Sequence, residues 1–285
     1  MKKAIVDILL YLFTIFIGAI VFSIIGAVLN NAINPGSGMD SVMDNPWLMG
    51  TILLGTQLPV ILFFLAFRRA NYSFGNLDKV NTIGTFSIYA FIMMVGAILI
   101  EQFILSVIPS EEQMFSYLEM FKPLMYNPLC VLLICIGAPL TEELVFRGAI
   151  QGHLMKWTKN PWVAIILASI LFGLAHGNLP QFIAGFILGM VCGWLFYRTG
   201  SIWPGIVVHF INNTFSTVST WIWGMEDSEM TGNILPNLIL PIVGIILIYI
   251  AYKKLVPVTE DSVMKNEEPS EASVIEEKKE DEVIL

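Results

Sequence analysis

Two acidic residues and an arginine lie close together in a stretch of the chain that is otherwise apolar. The stretch runs from Ala138 to Gly148 and contains Glu142, Glu143 and Arg147. On a helix, Glu143 and Arg147 are one turn apart and can pair, whereas Glu142 is rotated away by about 100°. An unpaired carboxylate in low-dielectric surroundings is a stronger base. We therefore expect Arg147 to neutralise Glu143 and to leave Glu142 available for proton transfer.

The same three residues could instead form a buried ion pair that only fixes helix packing. Two intramembrane histidines favour the functional interpretation. His176 ends an apolar run that contains Phe172, and His209 precedes Asn212 and Asn213 in another. On a helix, His209 and Asn213 share a face, and Asn212 lies close to it. A single buried histidine is usually a core residue, but two of them beside an unpaired carboxylate and an amide indicate a reactive site.

Glu142, His176, His209 and Asn213 form a set that can hold and activate a water molecule. The carboxylate takes the proton, and the imidazoles either orient the water or bind a divalent metal such as zinc. The amide can donate a hydrogen bond to a developing oxyanion. This is the chemistry of peptide hydrolysis. The sequence contains neither the G-x-S-x-G motif of serine hydrolases nor the H-E-x-x-H motif of soluble zinc proteases.

The three motifs resemble those of the CPBP family, which comprises the CAAX-protease and bacteriocin-processing (Abi) intramembrane proteases. They occur in the expected order and span residues 128–213, about a third of the chain. The motifs are Glu142-Glu143-x-x-x-Arg147, Phe172-x-x-x-His176 and His209-x-x-x-Asn213. The resemblance implies an intramembrane endopeptidase that acts on membrane-associated or hydrophobic peptides. The alternative is an immunity or regulatory protein of the same family that binds a membrane partner without cleaving it.

The resemblance also implies a role for each motif residue. Glu142 would be the general base, and the water or a metal would be held by His176, His209 and Asn213. The supporting residues would be Glu143, Arg147 and Phe172. Because family members are described both as metalloproteases and as glutamate proteases, the metal stays open. A transporter is disfavoured, since the sequence shows no pair of corresponding interrupted helices in two repeats.

The composition places these motifs in a membrane protein. The chain has 285 residues, of which 56% are hydrophobic, and a mean hydropathy of +0.74. Its net charge is −8, but ten acidic residues and three lysines from Pro257 onward account for −7 of it. No basic patch suited to nucleic acid exists. We expect residues 257–285 to form a disordered acidic tail. The partners expected are the lipid bilayer and a peptide or membrane-protein substrate.

Hydropathy predicts an all-α, polytopic membrane helix bundle with about eight transmembrane helices. Residues 1–127 would hold the N-terminal spans and surface loops, and residues 128–256 the catalytic membrane core. The predicted spans are Ala4–Leu29, Pro46–Phe67, Thr82–Val107, Pro128–Leu154, Pro161–His176, Gln181–Tyr197, Ile202–Trp223 and Ile234–Tyr252.

The distribution of basic residues predicts the orientation of the bundle. With the N-terminus in the cytoplasm, thirteen of the fifteen lysines and arginines fall on the cytoplasmic side. Both termini are therefore expected to be cytoplasmic. The Ile-, Met- and Asn-rich composition with a charged tail is typical of a bacterial protein, so the expected location is the bacterial plasma membrane.

Several further features have structural interpretations. Residues 109–126 alternate charged and apolar side chains and predict a helix on the membrane surface, with an ordinary connecting loop as the alternative. Glycines at 185, 189 and 193 predict close helix packing, and the three cysteines read as small buried apolar residues. His153, at the predicted cytoplasmic boundary, is expected to be solvated or at headgroup level. Glu101 is expected near the outer end of the third span.

One expectation conflicts with the others. Counting about 1.5 Å per residue from the predicted span ends places Glu142 and His209 toward the cytoplasmic half of the membrane. The same count places His176 near the outer end. A common site therefore requires the fifth helix to begin deeper or to tilt.

Overall fold

The computed structural model describes residues 1–36, 45–67, 69–70, 83–108, 122, 124–223 and 234–255. Within these ranges the chain forms eight helices and no strand, so the predicted all-α bundle is confirmed. The helices are α1 (Lys2–Ile33), α2 (Pro46–Ala66), α3 (Ile83–Val107), α4 (Pro128–Thr158), α5 (Pro161–Leu174), α6 (Leu179–Thr199), α7 (Trp203–Trp223) and α8 (Ile234–Leu255).

Six of these helices are long and apolar enough to cross a membrane: α1, α2, α3, α4, α6 and α8. The chain is therefore a multi-pass integral membrane protein. α5 is apolar but has only 14 residues, which corresponds to about 21 Å. α7 has 21 residues and carries the polar side chains of His209, Asn212 and Asn213.

Four helices begin at an asparagine whose side-chain oxygen accepts hydrogen bonds from backbone N–H groups of the first turn. Asn45, Asn127 and Asn160 precede α2, α4 and α5, and in each case a proline follows directly. Asn178 caps α6 in the same way. Asparagine is a favoured N-cap, and proline suits the first helical position because its missing N–H would have no partner there. These caps explain why the predicted starts of α2, α4 and α5 are confirmed.

Glycines allow α6 to approach α4 and α5 closely. A Cβ atom at Gly189 would lie 2.9 Å from the Cβ of Ser169 on α5. A Cβ at Gly193 would lie 2.8 Å from Oε1 of Gln151 on α4. The predicted packing role of the glycine face is therefore confirmed.

α4 lies at the centre of the bundle and is contacted by α1, α2, α5, α6 and α7. α3 and α8 pair with each other, and α3 packs against α6 and α7. Every residue of α4 from Leu144 to Gln151 is buried. The three cysteines are buried and form no disulfide, as predicted.

Several helix ends differ from the predictions by up to four residues; α1 ends at Ile33 and α4 at Thr158, each four residues later than predicted. Two further ends lie on either side of His176. α5 ends at Leu174, two residues before His176, and a turn with Gly177 at φ +77° leads into α6. α6 begins at Leu179 instead of Gln181 because Asn178 caps it. The predicted surface helix over 109–126 lies largely outside the described residues, and the predicted tail over 257–285 lies wholly outside them. The division at residues 127 and 256 stays a prediction.

Candidate active site

The two acids of the first motif lie between two widened turns of α4. Residues Leu133–Gly137 and Leu144–Gln151 are π-helical. Ordinary α-helical geometry is kept between them, over Ala138–Glu143. A π-helical turn holds an extra residue and occurs frequently at functional sites. The direction in which Glu142 and Glu143 point therefore depends on the first widened turn.

A proline accompanies that first turn. In π-helical geometry each N–H bonds to the carbonyl five residues earlier, so the carbonyl of Ile134 would pair with residue 139. Pro139 has no N–H and leaves this carbonyl free. Nδ2 of Asn213 on α7 donates a hydrogen bond to it at 2.9 Å. Asn213 thus attaches α7 to α4, and only one of its two N–H groups remains for the predicted bond to an oxyanion.

Glu143 is enclosed by two basic side chains. Its Oε1 lies 3.0 Å from Nη1 of Arg147, one turn along α4. The same Oε1 accepts a hydrogen bond from Nδ1 of His209 at 3.0 Å. Gly205 of α7 also lies against this carboxylate, because a Cβ there would be 2.7 Å from its Oε2. The predicted pair of Glu143 with Arg147 is confirmed, and its additional bond to His209 was not predicted.

Glu142 has different surroundings from its neighbour. The Glu142 side chain is 20% exposed, whereas that of Glu143 is 0% exposed. Among the described residues no lysine or arginine pairs with Glu142. Its Oε2 lies 3.7 Å from Nε2 of His209, which is too long for a direct hydrogen bond. His209 therefore lies between the two acids, with one ring nitrogen toward each. The prediction that Glu142 and Glu143 lie on different faces of the helix is confirmed.

Phe172 is the aromatic centre of the cluster. Its ring contacts the rings of His176 and His209 at centroid distances of 5.1 Å and 5.8 Å. The guanidinium of Arg147 lies 4.5 Å from its centroid, within the range of a cation–π interaction. Phe146 packs edge-on against it at 5.0 Å. The second motif is thus joined to the first and the third through this ring.

His176 reaches the cluster by folding back along its own chain. Its Nδ1 bonds to the carbonyl oxygen of Phe172 at 2.9 Å, which leaves Nε2 available. No hydrogen bond or ion pair between His176 and either Glu142 or Glu143 is found among the described residues. His176 joins the cluster through its contact with Phe172, and the depths of the site residues in the membrane stay a prediction.

The histidines and acids of the cluster are residue types that can ligate a metal. No three His, Cys, Asp or Glu side chains within them are grouped so that they could hold a metal ion. The nitrogen of His209 that faces Glu143 is already hydrogen-bonded. The described residues do not fit a three-ligand site as they are arranged.

The part of the chain that carries this cluster is similar to known proteins. Residues 125–215 match the family described as type II CAAX prenyl endopeptidase Rce1-like. They form an Rce1-like segment. The matched residues include Glu142, His176, His209 and Asn213, and the resemblance predicted from the motifs is confirmed.

Two curated bacterial proteins are similar over the same part of the chain. YdiL of Bacillus subtilis (strain 168), assigned as a membrane peptidase, is 33% identical over 91 residues. MroQ of Staphylococcus aureus (strain USA300), a membrane-embedded CAAX protease, is 31% identical over 96 residues. Each alignment covers 32% of this chain, and they cover 37% and 39% of the two relatives. No solved structure matches the chain at a significant level.

A second ionic cluster lies outside the Rce1-like motifs and was not predicted. Asp7 of α1 is fully buried, and its Oδ1 accepts a hydrogen bond from Nε of Arg69 at 2.8 Å. Its Oδ2 lies 2.6 Å from Nδ1 of His153. The side chain of His153 is only 25% exposed. His153 was expected to be solvated or at headgroup level; the first alternative is corrected, because a buried carboxylate binds the ring, and the second stays a prediction.

This second cluster orients α1 against α4. Tyr11 lies one turn after Asp7 on the same face, and its ring packs edge-on against Phe146 at 5.3 Å. The signal in the sequence was Asp7 itself, an acid inside the first apolar span. A carboxylate at that place needs a basic partner, and Arg69 and His153 are among the basic residues predicted at the same membrane surface.

Proposed function

We propose that this chain is an intramembrane endopeptidase that hydrolyses peptide bonds in membrane-associated or hydrophobic peptides. The observation that carries the proposal is the position of His209 between the two acids. Its Nδ1 bonds to Glu143 at 3.0 Å, and its Nε2 lies 3.7 Å from Oε2 of Glu142. With the proton on Nδ1, the nitrogen and the carboxylate oxygen are both acceptors. A water molecule that donates one hydrogen to each would satisfy both.

Such a water is placed for general-base catalysis. Glu142 takes one proton while the water oxygen forms a bond to the carbonyl carbon of the substrate, whose oxygen becomes an oxyanion. The remaining N–H of Asn213 is available to stabilise that charge. Glu142 then returns the proton to the leaving nitrogen as the C–N bond breaks. His209 keeps the tautomer required because Glu143 accepts its Nδ1–H.

The difference in exposure supports separate roles for the two acids. A general base must reach water and substrate, and the side chain of Glu142 is 20% exposed. Glu143 is enclosed by Arg147 and His209, which suits a carboxylate that orients a catalytic imidazole. Arg147 and Phe172 hold this pair in place.

An apolar cavity supports a hydrophobic substrate. It has a volume of about 480 Å³ and lies between the beginning of α4 and residues 210–221 of α7. Its lining includes Val131 and Cys135 of α4 and Phe210 and Thr214 of α7. The last two directly follow His209 and Asn213. No motif residue lines the cavity itself, so it supports binding of an apolar segment of a substrate next to α4 and α7, in agreement with the peptidase and protease names of the two relatives.

We further propose that both termini face the cytoplasm of a bacterial cell. The contacts of Asp7 with Arg69 and His153 bring the start of α1, the end of α2 and the last turns of α4 to one end of the bundle. Lys2, Lys3 and Lys156 lie in the same regions, as the positive-inside rule requires of a cytoplasmic end. Reporter fusions to both termini test this orientation, and a reporter that is active only outside the cytoplasm would contradict it.

The peptidase activity is tested directly with purified full-length protein in liposomes. The substrates are a library of hydrophobic peptides, with and without a lipid group, and the products are identified by mass spectrometry. We expect cleavage by the wild type and none above background by Glu142→Gln at equal folded concentration. Absence of cleavage by the wild type, together with full activity of Glu142→Gln in the cell, would support the non-proteolytic binding role instead.

A further inference from the structure

Gln57 of α2 is a buried amide that contacts the first widened turn of α4. Its Nε2 donates a hydrogen bond to the carbonyl oxygen of Leu133 at 3.2 Å. Leu133 also accepts the backbone N–H of Ala138, which is the bond that defines the π-helical turn. Gln57 therefore adds a second donor to the same carbonyl. The next carbonyl oxygen, that of Ile134, accepts a hydrogen bond from Nδ2 of Asn213 on α7.

The space for this amide is provided by Gly137. A Cβ at that position would lie 2.0 Å from Oε1 of Gln57. The side chain of Gln57 is 7% exposed, and its Oε1 has no hydrogen-bond partner among the described residues. An unsatisfied buried oxygen destabilises a protein, so apolar packing alone would favour a leucine at this place. The amide must therefore contribute through the bond that it makes.

α2 holds Gln57 in a fixed position. Gly55, two residues before Gln57, lies against α1. A Cβ added at Gly55 would be 2.5 Å from the Cβ of Phe22. Nearer the start of α2, Gly50 lies against α4. A Cβ added at Gly50 would be 2.9 Å from the Leu129 side chain. α2 is thus clamped between α1 and α4, and Gln57 cannot follow a movement of the turn without disturbing both contacts.

We propose that Gln57 is a positioning residue for hydrolysis, one that lies outside the Rce1-like segment. The inference rests on the proposed function, because it assumes that Glu142 is the base. Gln57 and Asn213 hold two successive carbonyls and keep the turn π-helical. If the turn relaxed to α-helical geometry, the residues that follow would rotate by about 100°. That rotation would carry Glu142 away from Nε2 of His209.

Substitution Gln57→Leu removes the amide and keeps the volume. Leu133 retains the N–H of Ala138, so no carbonyl is left unpaired and the melting temperature should stay within about 2 °C of the wild type. Misplacement of the base should lower kcat by about 10- to 100-fold, with KM within about twofold. The matched control is Gln102→Leu on α3, which should change neither constant. Wild-type kcat in Gln57→Leu would overturn the proposal.

Hydrogen exchange supplies a readout that does not depend on activity. In Gln57→Leu, backbone amides of residues 138–147 should exchange about tenfold faster, because the turn before them samples a second geometry. The control Gln102→Leu should exchange as the wild type does. If the wild type proves inactive but this segment still responds, the proposed function fails, and only the effect of Gln57 on the geometry of the turn stands. An unchanged segment would overturn the positioning role.

A second pair of variants covers the case in which Gln57→Leu folds poorly. Gly137→Ala places a methyl group where Oε1 of Gln57 lies and should displace the amide. In a Gln57→Ala background the amide is absent, so the methyl group of Gly137→Ala meets no Gln57 side chain. We expect Gly137→Ala to lower kcat by about tenfold in the wild type and by less than about twofold in Gln57→Ala. Equal losses in the two backgrounds would overturn the proposal.

Discussion

The molecule contains two clusters built from the same three groups. In each, a fully buried carboxylate is bound by an arginine and by Nδ1 of a histidine: Glu143 by Arg147 and His209, and Asp7 by Arg69 and His153. Among the described residues only His209 has a second carboxylate, Glu142, near its other nitrogen. The three-group unit therefore fixes helices in both places, and in the proposed mechanism the second acid is what adds chemistry.

The largest expected effect is that of Glu142→Gln, which removes the feature that separates the two clusters. Turnover should fall by about two to four orders of magnitude, the usual contribution of general acid–base catalysis, with an unchanged melting temperature. Glu143→Gln, measured on the same substrate, should lower stability and retain part of the activity of the folded protein. A stable and inactive Glu143→Gln beside an active Glu142→Gln would reverse the assignment of the two acids.

Arg147→Ala should cause the largest loss of stability. Removing one partner from a buried ion pair leaves an uncompensated charge, which costs about 3–5 kcal/mol of unfolding free energy. The contact between the guanidinium and Phe172 is lost as well. Denaturant unfolding in detergent measures the change. Wild-type stability without activity would show that Arg147 acts in the chemistry instead of the packing.

Asp7→Asn should have a smaller effect because its partners reach solvent. The side chains of Arg69 and His153 are 29% and 25% exposed, so both can be hydrated when the carboxylate is removed. We expect a loss of about 1–2 kcal/mol in unfolding free energy and unchanged turnover per folded molecule. If turnover falls as far as in Glu142→Gln, the second cluster has a catalytic role.

Metal removal should have the smallest effect. Since no three ligating side chains are grouped within the described residues, protein purified without added metal should keep its activity in the presence of a chelator. Elemental analysis of the same sample provides the control. Stoichiometric zinc that is lost together with activity would instead make His176 and His209 ligands, and it would require the cluster to rearrange.

Much of the bundle could be predicted because apolar runs and Asn-Pro caps are local signals. The pair of Glu143 with Arg147 also followed from helical spacing alone. Other contacts depend on which helices meet, which spacing does not encode: the bond of Glu143 to His209, the bond of Asn213 to Ile134 and the Asp7 cluster. The end of α5 was misplaced because hydropathy does not distinguish the last helical turn from the turn that follows it.

The attachment of α7 to α4 at two points restricts how this sequence can vary in length. His209 and Asn213, one turn apart on α7, bind Glu143 and Ile134 on α4. An insertion or deletion of one residue between Ile134 and Glu143 would leave one of the two attachments without its partner. Substitutions in this interval can be absorbed by repacking, whereas a change in length cannot. Functional relatives should therefore differ here in residue type but keep nine peptide bonds between the two positions.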